Sequence, residues 1–311
     1  RPLLTAHCLL PTAYRPLQMQ VVIFCKQFRE KDLPFTQALL DALHTNDFEA
    51  YIYTPFLEEI RERLTFPREA KPFNDHTDFA KHKIDVVITL GGDGTMLNAV
   101  TLVRDSGVPM LGINLGRLGF LAAIGKNAIA EAIGKLQRGL YSIEERVMLY
   151  LESHPAIFGD IPFALNDCTI LKRDTSSMIT LHTFINGDYL NSYWADGIVI
   201  ATPTGSTGYS LSCGGPIVFP RSGNFVITPV APHNLNVRPI VISDESVISF
   251  EIEGRGDNFI CTLDSRFELI SAQHQLAVRK NGFPVRIIQL QDVTFLTTIR
   301  EKLAWGADVR N

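Results

Sequence analysis

The segment Asp85–Thr95 reads DVVITLGGDGT, an apolar run that passes directly into three glycines and then into a helix-length stretch. Strand, tight turn and helix in that order form the building step of an open α/β sheet, and such sheets bind ligands where these turns lie, at the strand ends. Gly91, Gly92 and Gly94 allow positive φ and let the main chain approach a phosphate with no Cβ in the way. The free N–H groups at the helix start favour an anion, so Gly91, Gly92 and Thr95 read as a phosphate-binding loop. Asp93 is out of place in a plain phosphate cradle, because its carboxylate repels anions unless it binds a metal or takes a proton. It reads as a working group; the plainer reading of a lone GGDG is a turn aspartate.

The same alternation extends around this segment. Val21–Cys25, Ala50–Tyr53, Asp85–Leu90 and Pro109–Ile113 read as strands, with helical spacing in Phe35–Leu43, which Pro34 would open, and in Thr95–Arg104. Beyond Gly139 the pattern changes to many short runs rich in Ile, Val, Phe and Thr, with Asn186-Gly187 and Asn281-Gly282 read as two-residue hairpin turns. Thr294–Trp305 returns to helical spacing and is expected to pack back on the first domain. The expected fold class is an N-terminal α/β domain with a parallel sheet plus a mostly-β C-terminal domain. Residues 19–127 and 291–311 are assigned to the first and 128–290 to the second. Residues 1–18, broken by Pro2, Pro11 and Pro16, read as an extension, with Met19 as the expected native start.

With 311 residues the chain is long enough for two such cores. A formal net charge of −4 gives no general pull toward nucleic acid or anionic lipid, and no apolar run suggests a membrane span. Five cysteines without a CxxC pair argue against a disulfide scaffold or zinc ribbon; Cys25, Cys168 and Cys261 sit in strand-like runs as small buried hydrophobes, and the expected compartment is the cytoplasm. The eight histidines show no ligand-like pairing.

Asp196–Gly215, DGIVIATPTGSTGYSLSCGG, places Thr202, Thr204, Ser206, Thr207, Tyr209, Ser210 and Ser212 around a strand, a turn and a short helix that Ser206 or Thr207 could cap. Hydroxyls so placed can read an adenine edge or a ribose; an ordinary Ser/Thr-rich turn is the bland alternative. Asn166-Asp167 interrupts the apolar run Phe163–Lys172, marking either a buried polar network or a site. A P-loop is excluded by the missing Gly-Lys-Ser/Thr, Gly112–Gly119 has the wrong spacing for GxGxxG, and Gly205–Gly208 is not a GxSxG elbow.

Together, Gly91-Gly92-Asp93-Gly94-Thr95, Asn114–Phe120 (NLGRLGF), Asn166-Asp167, Asp196-Gly197, Thr202–Tyr209 (TPTGSTGY) and Cys213–Pro216, in this order, resemble the NAD kinase family from about Met19 to Trp305. GGDGT alone is shared with lipid kinases and phosphofructokinases; the later segments are not. The resemblance implies the two-domain fold and phosphoryl transfer from ATP, or polyphosphate, to the 2′-hydroxyl of the adenosine ribose of NAD. By similarity Asp93 is the general base or hydroxyl-orienting group, and a divalent cation, usually Mg²⁺, offsets the donor charge. Gly94, Phe120, Asn166, Asp167, Thr204, Thr207, Gly208, Tyr209 and Ser212 match the NAD-binding positions. Asp196 and Arg238 resemble positions that reach the nicotinamide half or a phosphate across a subunit boundary, so a homo-oligomer, dimer or tetramer, with a shared site is implied. No nucleic-acid or membrane partner is implied. Asp264-Ser265-Arg266 departs from the family's Asp-Gly-Gln and is given no role. The alternatives are a GGDGT-type lipid kinase and a non-catalytic NAD or NADP sensor with this fold.

Overall fold

The computed structural model describes residues 18–117, 119–173, 178–254, 259–291 and 294–304. The proposed extension, save Gln18, and Trp305 lie outside the described residues. The first unit contains β1 (Gln20–Phe24), α1 (Leu33–Thr45), β2 (Glu49–Tyr53), α2 (Thr54–Ile60), β3 (Lys71–Phe73) and β4 (Val86–Leu90). It continues with α3 (Asp93–Val103), β5 (Met110–Asn114), β6 (Ile124–Gly125), α4 (Ile129–Arg138) and β7 (Tyr141–Arg146).

The second unit runs through β8 (Leu149–His154), β9 (Phe163–Ala164), β10 (Asp167–Lys172), β11 (Ile179–Ile185), β12 (Asp188–Ala195), β13 (Gly197–Ala201) and α5 (Tyr209–Ser212). It then adds β14 (Asn224–Val230), β15 (Ile240–Ser243), β16 (Ile248–Glu253), β17 (Phe259–Leu263), β18 (Arg266–Ile270) and β19 (Gln275–Lys280). Then β20 (Val285–Leu290) and α6 (Phe295–Leu303) follow.

The first sheet has the order β3-β2-β1-β4-β5-β20-β7, with β6 also beside β5; its strands pair in parallel except β7 against β20. Both faces of its central strands are covered, which explains their unbroken apolar runs. Val21, Ile23, Val86 and Ile88 face α1, α2 and α4, while Val22, Phe24 and Val87 share a core with α3. Helix α4 shows how local signals set an element. Ile129, Ala132, Ile133 and Leu136 recur at helical spacing and are buried, and Gly139 ends the helix at φ 69°. The second unit is two six-stranded antiparallel sheets, β15-β14-β13-β10-β17-β18 and β12-β11-β16-β19-β8-β9, closed over one apolar core. Met148, Phe163 and Leu165 join the core beneath α3, so the two units share apolar contacts.

Asn186-Gly187 is the hairpin turn the dipeptide predicts, at φ 53° and 88° between β11 and β12. Asn281-Gly282 is not. Strand β19 belongs to the second unit and β20 pairs β5 and β7, so the dipeptide carries the chain from one sheet to another. Asn281 is buried there, its N–H donating to the Met148 carbonyl and its side chain to that of Phe283. The sequence boundary at residue 128 is also displaced: α4, β7 and β20, placed in 128–290, belong to the first sheet and its covering layer. Alternating strand signals cannot say which sheet a strand joins. The run Phe163–Lys172 is two strands with a break at Leu165-Asn166.

Candidate functional site

The loop after β4 forms as its glycines require, with one correction. Only Gly91 has positive φ, at 149°, and a Cβ there would lie 2.1 Å from Thr95 Oγ1; Gly92 and Gly94 have open space instead. Gly91, Gly92, Gly94 and Thr95 line a cleft of about 530 Å³. Its other walls carry Lys26, Arg29, Lys31 and Arg117, with Asp32, Asn98 and Ser265. Four cations line this cleft at the start of an eleven-residue helix, and both their charge and the backbone dipole there favour an anion. Sequence reading passed over Lys26, Arg29 and Lys31, although they follow β1 at the strand end where ligands collect in open sheets.

Asp93, the first residue of α3, turns its carboxylate away from the cleft walls toward the loop after β5. Oδ2 accepts from the Phe120 N–H at 2.8 Å, and Oδ1 accepts from the N–H groups of Leu121 and Ala122, each at 3.0 Å. Gly119 makes this approach possible, since a Cβ there would lie 1.8 Å from Oδ1. Buried Asn114 ties the start of the loop: its Nδ2 donates to the Arg117 carbonyl at 2.7 Å, and its Oδ1 accepts from the Gly116 N–H at 2.7 Å. Phe120 packs against Phe295 of α6, with the Lys302 ammonium 4.9 Å above its ring. Phe295 also stacks on Phe219, so the start of α6 touches residues of both units.

Asn166 and Asp167 lie beside the turn after β13. The Thr202 N–H donates to the Asn166 carbonyl at 2.9 Å, and the Thr202 hydroxyl to the Leu165 carbonyl at 2.6 Å. A Cβ built on Gly208 would sit 3.8 Å from Asn166 Nδ2 and 3.9 Å from Asp167 Oδ2, so these side chains border the turn that holds Thr204, Thr207 and Tyr209. Neither Ser206 nor Thr207 caps the short helix; the Ser206 hydroxyl donates to the Pro203 carbonyl and accepts from the Val218 N–H, stitching the turn to the next loop. Ser212 ends α5 on the same turn. Burial raises the Tyr209 hydroxyl pKa, Cys213 adds to this, and the charges of Asp196 and Asp167 reach it as well.

Two further residues complete this half. Arg146, buried at the end of β7, holds Glu144 at 2.7 Å and points at the Thr204 hydroxyl at 3.5 Å. Asp264, at φ 54° between β17 and β18, is half-buried and accepts backbone N–H bonds from Leu165 at 2.9 Å and Asn166 at 2.7 Å. Among the described residues, Arg146 Nε and Asn166 Oδ1 are buried with no partner. Both lie at this turn, which is where a bound polar ligand would satisfy them.

Asp196 and Arg238 are not gathered in. Asp196 is paired with Lys172 at 2.6 Å, and Arg238 donates to the carbonyls of Leu235 and Val237 at the edge of a separate cleft lined by Tyr193 and His233.

Burial, with the Asp264 charge adding to it, pushes the Asp167 carboxyl up to about 7. The folded protein then holds a proton that the unfolded chain, near the usual value of about 4, has already lost, so stability falls as pH rises from about 4 to 7. Asp167→Asn is therefore expected to gain stability over the parent by about 1–3 kcal/mol between pH 4 and pH 8. Thermal melts at both pH values check this, and an unchanged difference would count against it.

Sequence models of known families match both units: the ATP-NAD kinase N-terminal domain over residues 21–141 and the ATP-NAD kinase C-terminal domain over residues 165–290. A curated NAD kinase from Cytophaga hutchinsonii is 45% identical over 287 residues, covering 92% of this chain and 98% of that protein. One from Bacteroides fragilis is 40% identical over 292 residues, covering 94% and 100%. Among solved structures, yeast NADH kinase complexed with NADH superposes with a TM-score of 0.83 at 23% identity, covering 94% of this chain and 89% of that one. An Archaeoglobus fulgidus NAD kinase in complex with ATP gives 0.70 at 22%, covering 92% and 98%. The two solved structures share the fold, and the two matched domains together with the 45% identical relative show that this chain belongs to the NAD kinase family.

Proposed function

We propose that the chain transfers a phosphoryl group from ATP to the 2′-hydroxyl of the adenosine ribose of NAD, giving NADP. The observation that carries this reading is the position of Asp93. It stands between the phosphate-binding loop and the Phe120 loop, where donor and acceptor must meet. Lys26, Arg29, Lys31 and Arg117 would take the donor phosphates, and the N-terminus of α3 would face the transferred group. On the acceptor side Asn166 would meet the base and Asp167 the ribose hydroxyls, with Gly94, Phe120, Thr204, Thr207, Gly208, Tyr209 and Ser212 around them.

Three N–H bonds leave Asp93 Oδ2 with one free acceptor direction, enough to hold the 2′-hydroxyl and take its proton as the oxygen attacks. Phosphoryl transfer gains most from positioning and charge neutralisation, so a firmly held carboxylate suits the task. Among the described residues no group of three or more His, Cys, Asp or Glu side chains could hold a metal, but Asp32 lines the cleft. That single carboxylate could supplement phosphate oxygens around a Mg²⁺ carried in on the donor, where the ion would offset their charge.

The described cysteines are free thiols, in keeping with a cytoplasmic enzyme. No described helix is long and apolar enough to cross a membrane. We propose further that the site is shared in a homo-oligomer, with Arg238, which lines a separate cleft in its own chain, reaching the NAD of a neighbouring copy. Mixing Arg238→Ala with Asp93→Asn chains is expected to restore activity that neither homomer has. Confirmed hybrids without activity would refute sharing.

The reaction itself is tested by a coupled assay for NADP from NAD, ATP and magnesium, with NADH and polyphosphate in parallel. No product in any arm, from folded protein that binds NAD, would favour the sensor reading over the kinase.

A further inference from the structure

We infer that Asp264 is the positioning residue that fixes the acceptor pair Asn166–Asp167 and ties it, through Ser265, to the donor cleft. The inference rests on the reading above that Asp167 binds NAD. Leu165 and Asn166 fall in the gap between β9 and β10, where the strand ladder offers their N–H groups no partner. The Asp264 carboxylate supplies one. Oδ2 accepts from Leu165, and Oδ1 accepts from Asn166 and, at 3.3 Å, from Asp167; the Asp264 N–H donates back to the Asp167 carbonyl at 3.0 Å. A carboxylate engaging three successive N–H groups sets both the path of that backbone and the direction in which Asn166 and Asp167 leave it.

The turn itself is costly to make. Leu263 pairs with Arg266, leaving Asp264 and Ser265 as a two-residue connection whose first position, at φ 54°, is one glycine would normally fill. Aspartate there accepts backbone strain, which its side-chain bonds to three N–H groups help to offset. Arg266 anchors the other side, donating to the carbonyls of Ile161 and Phe163. At the tip, Ser265 lines the donor cleft with Gly91, Gly92 and Arg117. One rigid turn therefore touches both halves of the site.

A role confined to stability would leave the titration of Asp167 alone, and this one would not. Asp167 is faced by Asp264 from the β17–β18 turn, by Cys168 on its own strand, and by Tyr209 and Cys213 on the turn after β13. Of these only Asp264 is a second carboxyl. NAD affinity should rise with pH as Asp167 loses its proton near 7, because the carboxylate accepts the ribose hydroxyls.

Calorimetric titration with NAD from pH 5.5 to 8.5, on the wild type, Asp264→Asn, Asp264→Ala and Asp167→Ala, tests this. Asp264→Asn is expected to weaken NAD binding by roughly 10-fold or more and to move the midpoint of its pH dependence lower, with Asp264→Ala weaker still. Unchanged affinity and midpoint in Asp264→Asn, with Asp167→Ala impaired, would overturn this inference alone. Full NAD affinity in Asp167→Ala would instead overturn the underlying assignment. Should both Asp264 variants fail to fold, amide exchange in the wild type decides: the N–H groups of Leu165 and Asn166 must be as protected as those inside β10, and exchange at the coil rate would refute the inference.

Discussion

Asp93→Asn is expected to lower turnover by ~10²- to 10⁴-fold, the usual contribution of a positioned general base. Two effects act together. The amide cannot take the proton of the attacking hydroxyl, and its NH₂ group must face at least one of the N–H donors of Phe120, Leu121 and Ala122 that the carboxylate accepts. The second effect loosens the loop bearing Phe120, so some loss of NAD affinity should accompany the larger loss of turnover. Steady-state kinetics separate them: most of the change should fall on kcat, with KM for NAD rising several-fold at most. Turnover within tenfold of the parent would remove Asp93 from the chemistry and leave it as the clasp of the Phe120 loop.

Gly205→Ala should be nearly as damaging, from a position that touches no reacting atom. A Cβ on Gly205 would lie 2.0 Å from the Asn166 carbonyl oxygen, 2.4 Å from its carbon and 2.7 Å from the Asn166 Cα. These are backbone atoms, and the carbonyl also accepts the Thr202 N–H, so the turn after β13 and the strand break before β10 must separate. The cost is about 2–3 kcal/mol of stability, at the upper end for overpacking. KM for NAD should rise about tenfold or more, because Asn166 and Asp167 are displaced from the hydroxyls of the turn. Gly134→Ala is the control. It lies in α4 with nothing within 4 Å of the added Cβ and should stabilise by about 0.5–1 kcal/mol. A normal melting temperature and normal NAD kinetics in Gly205→Ala would contradict the packing argument.

The contrast between these two positions shows what was legible beforehand. Asp93 stands out in the sequence because a carboxylate inside GGDG conflicts with its surroundings, and conflicts of that kind mark working sites. The strands and helices around it follow from apolar spacing, and the family resemblance rests on motifs in a fixed order. Gly205 looks like any turn glycine; its role depends on a carbonyl 39 positions earlier that no local pattern reveals. Asp264 is hidden from a sequence reading for a related reason. Its turn departs from the family's usual triplet, and its value lies in backbone N–H groups that exist as unsatisfied donors only because the strand breaks at Leu165-Asn166. Arg146 ends β7, the edge strand beside β20, and is nonetheless buried, which no local pattern in the polar run Tyr141–Arg146 reveals. Asn281-Gly282 failed in the opposite direction: the strongest local hairpin signal lost to sheet membership, which is set by long-range pairing.

The insertion of β20 between β5 and β7 bears on how the molecule is made. During synthesis β1 to β5 leave the ribosome early, but the strand that completes their sheet comes after the entire antiparallel unit. Until then the newborn sheet carries an open, apolar edge at Met110, the kind that recruits other chains. The antiparallel unit is therefore enclosed within its neighbour in the order of assembly, and a fragment ending before Val285 should aggregate when expressed alone. The two units mature as one, and neither can be exchanged as a cassette without leaving the other unfinished.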